Sequence, residues 1–222
     1  MLDFAAARAT MVDCQVRTVD VTDYDVLDAF LAVPREVFVP ESLRPFAYID
    51  EDIKVSAPDA APRYVMEPGP LARLVQLAEI GVGDRVLDVG AATGYAAAIL
   101  ARLAASVTAL ESDAALAKIA ADNLAALGVD NVAVVTGPLV AGYPAGAPYD
   151  VILIEGAIEE LPEALGNQLA EGGRLVAVVG SNGLAAKATL FTRSGGRVTG
   201  RPAFNTHIRP LPEFARPKTF VF

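Results

Sequence analysis

Between residues 85 and 179 the chain alternates short apolar runs with stretches of helical periodicity, and this constrains its fold more than any other feature. The runs at 85–89, 106–110, 131–135, 149–154 and 174–179 are continuous rather than alternating, as expected of strands buried on both faces. Helices are expected at 71–80, 95–103, 114–127 and 161–169, the last ended by Gly172-Gly173. Strands separated by helices imply βαβ units and a parallel sheet. Runs at 186–193 and 219–222 have no helix between them, which implies an antiparallel edge. Residues 4–33 read as helical, with a second helix over 23–33 that Thr22 caps and Pro34 ends. The expected class is α/β: a mostly parallel, doubly wound Rossmann-like sheet with an antiparallel edge, plus N-terminal helices.

Composition narrows the function. The 222 residues, 53% of them hydrophobic, suffice for one sizeable core. A net charge of −9 and the absence of any Lys/Arg run argue against a nucleic-acid partner. Cys14 is the single cysteine, which excludes an internal disulfide and fits a reducing compartment. The N-terminus lacks a signal-peptide pattern, and no apolar run reaches the roughly 18 residues of a spanning helix. A cytoplasmic protein without a membrane partner is expected. Cys14, His207 and the carboxylates show no metal-ligand spacing.

Residues 34–69 break the pattern. Pro34, Pro40, Pro45, Pro58, Pro62 and Pro68 punctuate a long irregular connection, which reads either as a substrate-side lid or as a passive linker.

In an open parallel sheet, ligands bind beyond the carboxyl ends of the strands, so the first βα turn is the place to look. It reads Asp88-Val89-Gly90-Ala91-Ala92-Thr93-Gly94. Gly90 permits a tight turn, and Gly94 lets the next helix pack closely. Glu111 follows the second strand directly, where a carboxylate can accept from both hydroxyls of a ribose. Loop and acid together mark a nucleoside site; Glu111 alone would also suit a solvated strand end. A pyrophosphate ligand would want G-x-G-x-x-G or a Lys-Ser/Thr pair, and neither is present. S-adenosylmethionine (SAM) carries no phosphate and suits the loop, with Asp88 facing its amino group.

These residues resemble the protein-L-isoaspartate O-methyltransferase family. "VLDVGAATGY" (86–95) is similar to the family's SAM loop, "AVPREVFVP" (32–40) to its N-terminal signature, and "YDVILIEGAIEELPEALGNQLAEGGRLVAVVG" (149–180) to its fourth-to-fifth-strand block. The resemblance spans roughly residues 10–210. It implies a class I SAM-dependent methyltransferase fold and methylation of the isoaspartyl α-carboxyl in damaged protein. Three positions depart from the family. Its catalytic-loop serine falls, in ungapped register, on Met66 of Tyr64-Val65-Met66-Glu67-Pro68, and a thioether donates no hydrogen bond. A gapped register would use Ser56 of Ser56-Ala57-Pro58 instead. The loop's central glycine is Ala92. The Gly-Asp after the third strand is Gly137-Pro138, without a carboxylate or an N–H.

The resemblance thus assigns cofactor contacts to Asp88, Gly90, Ala91, Ala92, Thr93, Gly94, Glu111, Ser112, Gly137 and Pro138. The substrate side comprises Val65, Met66, Glu67, Glu155 at the tip of the fourth strand, and His207, which is either structural or, with Arg209, an anion ligand. No catalytic residue is assigned; Ser56 is the weaker candidate. The chain reads as one methyltransferase unit, with residues 1–69 as N-terminal helices and substrate-side loop and 70–222 as the SAM-binding core. Three functions follow: an isoaspartyl methyltransferase, a methyltransferase with another carboxylate acceptor, or a non-catalytic SAM-binding module.

Overall fold

The computed structural model of the chain describes residues 3–180 and 186–215. Helix α1 (Phe4–Met11) continues through a π turn at Val12–Val16 and a 3-10 turn at Arg17–Val19. The helical path stops at Asp20, whose φ of 66° is left-handed, which separates the two helices expected within residues 4–33. Helix α2 (Tyr24–Ala32) is capped by Asp23, not Thr22. The Asp23 carboxylate accepts from the N–H groups of Asp25 and Val26 at 2.9 and 3.3 Å, satisfying donors that the first turn leaves free.

The irregular segment carries more structure than its prolines suggest. It holds 3-10 turns at Arg35–Val37 and Glu41–Phe46, then an antiparallel ribbon of β1 (Ile53–Lys54) and β2 (Tyr64–Val65). Helix α3 (Pro68–Leu77) follows, with prolines at its start, where a missing N–H costs nothing.

The core sheet comprises β3 (Arg85–Val89), β4 (Ser106–Glu111), β5 (Val132–Thr136), β6 (Tyr149–Ile158), β7 (Leu169–Val179), β8 (Lys187–Ser194) and β9 (Arg197–Asn205). Its order is β5-β4-β3-β6-β7-β8-β9. Strands β3 to β7 run parallel, and the hairpin β8–β9 adds antiparallel at one edge. Helices α4 (Tyr95–Ala101), α5 (Ala114–Ala126) and α6 (Glu163–Asn167) connect the parallel strands. Leu87, Ile152 and Leu175 lie on one face and Val86, Leu153 and Val176 on the other, all at 0–1% exposure. Each such burial contributes about 1.5–3 kcal/mol, which is why the runs are apolar throughout.

Several boundaries differ from expectation: α3 spans Pro68–Leu77 rather than 71–80, β6 runs on to Ile158, and β7 begins at Leu169. Helix α6 ends at Asn167, and Gly172-Gly173 lie inside β7, where a register shift and a φ of +79° at Gly172 mark an irregularity rather than a helix stop. Strand β9 was not expected: its mostly exposed residues give no apolar alternation, and Pro202 suits an edge. The expected strand at 219–222 lies outside the described residues. No helix among the described residues is long and apolar enough to cross a membrane.

Candidate active site

Strand order reverses at β3, whose neighbours are β4 and β6, so the cleft opens beyond its carboxyl end. The loop 90–94 turns there through Gly90 (φ +90°) and Gly94 (φ +93°). A Cβ on Gly94 would lie 3.3 Å from Ala120 of α5, so the close packing that Gly94 permits is onto that helix. Ala92 takes a left-handed φ of 48°, a conformation the family's glycine would adopt without strain.

Glu111 ties this loop to the end of β4. Its carboxylate accepts from the N–H groups of Ala92 (2.9 Å), Ser112 (2.7 Å) and Asp113 (3.0 Å) and is fully buried. The fourth partner is an arginine that sequence reasoning missed. The Arg63 Nε donates to Glu111 at 3.1 and 3.3 Å, and its Nη2 donates to Ser112 Oγ at 2.8 Å and to the Glu213 carboxylate. Burial pushes the Glu213 carboxyl up, but the bonds from Arg63 and Ser112 outweigh it and hold it below the usual range.

Asp88 and Glu155 form a second acidic group at the cleft floor. Both Asp88 oxygens and Glu155 Oε1 are buried without a hydrogen-bond partner in any other residue. Burial raises both carboxyls, Asp88 to about 7; a hydrogen bond between the two then holds Asp88 down and, with the Asp88 charge, pushes Glu155 further up, and Glu111 adds to both. Glu155 is not at a strand tip. It sits within β6, at a register shift between Leu153 and Ala157, and such a bulge re-aims a side chain.

The remaining predicted residues divide. Met66, Arg63, Glu155 and Gly90 line one cavity with Asp52, Tyr64 and Arg209. Val65 is buried in β2 beside it. Glu67 occupies the N-cap position of α3 without a side-chain capping bond; burial, then Asp50 and Asp52, push its carboxyl up. Thr93 is occupied structurally, donating to the Phe38 carbonyl at 2.6 Å. Ala91 is buried beneath the loop, and Gly137 donates to the Glu111 carbonyl at 3.1 Å, with Pro138 exposed beyond. Ser56 accepts from the Arg63 N–H at 3.1 Å inside the ribbon turn and is not among the residues lining the cavity. His207 is exposed and outside the lining, whereas its neighbour Arg209 reaches the rim, 3.4 Å from Asp52.

The roof of the cleft is the C-terminal segment. Ala157 donates to the Arg209 carbonyl, and Leu211 donates to the Ala157 carbonyl, laying residues 209–211 along β6. Leu211 packs on Gly90, 3.4 Å from where a Cβ would stand. The cavity left inside is about 10 Å³, room for one water. The Glu111 carboxylate, the glycine loop and the buried Asp88 and Glu155 carboxyls have the chemistry to receive a ribose and an aminoacyl ammonium, and Arg63 stands on the first of these carboxylates.

A family model for protein-L-isoaspartate(D-aspartate) O-methyltransferase (PCMT) matches residues 7–212. "Protein-L-isoaspartate O-methyltransferase 1" of Rhodopseudomonas palustris (strain HaA2) is 42% identical over 191 residues, 86% of this chain and 76% of that one. The protein-L-isoaspartate O-methyltransferase of Koribacter versatilis (strain Ellin345) is 41% identical over 192 residues, 86% and 85% of the two chains. A solved protein-L-isoaspartate O-methyltransferase matches with TM-score 0.79 and 28% identity over 91% of this chain and 65% of that one. A Plasmodium falciparum structure described as a beta-aspartate methyltransferase in complex with S-adenosyl-L-homocysteine (SAH) matches with TM-score 0.77 and covers 96% of this chain and all of that one. Its 21% identity speaks to the fold alone.

Proposed function

The chain belongs to the protein-L-isoaspartate(D-aspartate) O-methyltransferase family, and we propose that it transfers a methyl group from SAM to the carboxylate of isoaspartyl residues in damaged protein. The observation that carries this reading is a single cavity lined by Gly90 of the glycine loop, by Met66, Glu155 and Arg209 on the acceptor side, and by Arg63, which is bonded to the Glu111 carboxylate.

Bound SAM supplies a methyl group on a positively charged sulfur, electrophilic enough that a carboxylate accepts it without a general base. The chain's own task is therefore positional. Glu111 offers oxygens to the ribose hydroxyls, and Gly90 lets the ligand approach the backbone. Asp88 and Glu155, buried and bonded to no other residue, offer their carboxyls to the ammonium of the cofactor's methionine end. Arg209, 58% exposed on the rim, sets positive charge at the mouth for an anionic acceptor. The ribbon and the C-terminal segment exclude water, which strengthens each of these contacts.

Met66 and Glu155 favour a second reading, a different carboxylate acceptor, because neither offers the hydroxyl that the family's loop presents. Methyl-labelled SAM, incubated with an isoaspartyl peptide and its aspartyl twin, separates the two. The first reading expects a base-labile methyl ester on the isoaspartyl peptide alone. SAH binding with label on neither peptide would sink it in favour of the second. We place the protein in the cytoplasm on the strength of the exposed, unpaired Cys14. We also treat residues 1–69 and 70–222 as one unit, the first supplying the substrate side.

A further inference from the structure

Glu111 does not need Arg63. Three backbone N–H groups already donate to its carboxylate. Arg63 adds a charge from 48 positions away in sequence, through a side chain only 2% exposed. Its backbone is held independently: its N–H donates to Ser56 Oγ, and its carbonyl accepts from Val55 at 2.9 Å. The ribbon can therefore stay folded while the guanidinium moves. That guanidinium stands against the carboxylate that a ribose diol would claim and lines a neighbouring cavity of only about 10 Å³. Ribose and arginine cannot both hold that carboxylate.

The displaced guanidinium has a second place to go. Arg63 lines the same cavity as Met66, which offers no hydrogen-bond donor toward an acceptor carboxylate. A guanidinium fork matches a carboxylate in bidentate geometry. We propose that Arg63 is an exchangeable latch and acceptor-binding residue: it holds Glu111 in the cofactor-free protein and passes to the acceptor's carboxylate when the ribose takes Glu111. Arg63 keeps the Glu213 carboxylate until the acceptor arrives, and Glu111 keeps its three N–H donors and gains the ribose hydroxyls, so neither charge is left without partners. The order of binding follows: cofactor first, acceptor second. The acceptor half of the proposal rests on the isoaspartyl reading; the latch does not.

Calorimetric titration with SAH and with an isoaspartyl peptide tests both halves. Arg63→Ala is expected to bind SAH roughly tenfold more tightly than the native protein, the value of a charged hydrogen bond no longer broken on binding. The native protein is expected to bind the peptide only when SAH is present, and Arg63→Ala is expected to lose that binding. Unchanged or weaker SAH affinity in Arg63→Ala overturns the latch, as does peptide binding to the native protein that ignores SAH. Glu213→Gln loosens Arg63 without touching Glu111, and is expected to tighten SAH in the same direction by about threefold. Should Arg63→Ala not fold, unchanged affinity in Glu213→Gln overturns the latch by itself. A native protein that methylates the peptide, beside an Arg63→Ala variant that keeps SAH-dependent peptide binding, overturns the acceptor role. A native protein that neither binds nor methylates the peptide, while both variants tighten SAH, overturns the isoaspartyl reading and leaves the latch standing.

Discussion

Arg35 and Arg63 are both buried arginines of the segment that covers the cleft, yet their partners differ in kind. Arg35 donates only to backbone carbonyls: Ala47 and Met66 at 2.7 Å each, with Glu51 and Val65 at 3.5 Å. Its guanidinium also lies 4.9 Å from the Tyr95 ring centroid, next to the glycine loop. Arg63 donates mainly to carboxylates and a hydroxyl at the ligand side of the cleft. A carbonyl inside the fold has no competing ligand, so Arg35 fastens the segment permanently. A carboxylate at a strand tip has one, so Arg63 fastens it only until that ligand arrives. A charged side chain in an active-site cover is thus to be judged by what could replace its partner rather than by its burial.

The comparison breaks first at Arg35. Arg35→Ala strands several carbonyls and opens a cavity beneath Met66, and the expected loss is about 3 kcal/mol. Urea denaturation measures it; a loss under about 1 kcal/mol would make Arg35 as dispensable as Arg63.

Asp88 and Glu155 supply the third case, carboxyls at the cleft floor with no arginine at all. Burial raises both above the unfolded value, and it outweighs the Glu155 hydrogen bond that lowers Asp88. The folded state therefore binds more protons than the unfolded one between the ordinary carboxyl range and about 7. Their contribution to stability is fully present below the unfolded pKa and is lost as pH rises through the folded one. The melting temperature is expected to fall across that window, and Asp88→Asn is expected to flatten the fall. A native protein whose melting temperature rises through the same window would remove this case. The cationic cofactor favours the ionised pair, so SAM binding near pH 6 is expected to release protons; calorimetry in buffers of different ionisation enthalpy reads this directly.

The smallest effect lies in the loop that Glu111 holds. Ala92 is kept left-handed at φ 48°, with its N–H on Glu111. Ala92→Gly relieves that strain and is expected to raise stability by about 1 kcal/mol. Destabilisation instead would show that the loop draws rigidity from the alanine.

Much of the sheet was legible because a strand buried on both faces has to be an apolar run and the turn after it has to bend at glycine. Glu111 was legible for the same reason, being the first charge after such a run. The β6 bulge that turns Glu155 inward was not, since it depends on how β7 pairs beside it. Arg63 and Glu213 were missed because they meet across 150 positions, and neither sits in a periodic element. Arg35 lay in plain view within "AVPREVFVP", but nothing in that string says that its partners are carbonyls 12 to 31 residues away. Short-range pattern reveals the core; the cover is assembled from contacts that only folding creates.

The account stands or falls on Glu111 being the cofactor's carboxylate. SAH titrated into the native protein and into Glu111→Gln measures this most directly. Binding by the native protein and at least about tenfold weaker binding by the variant is the expected result. Equal affinity in the two would contradict it.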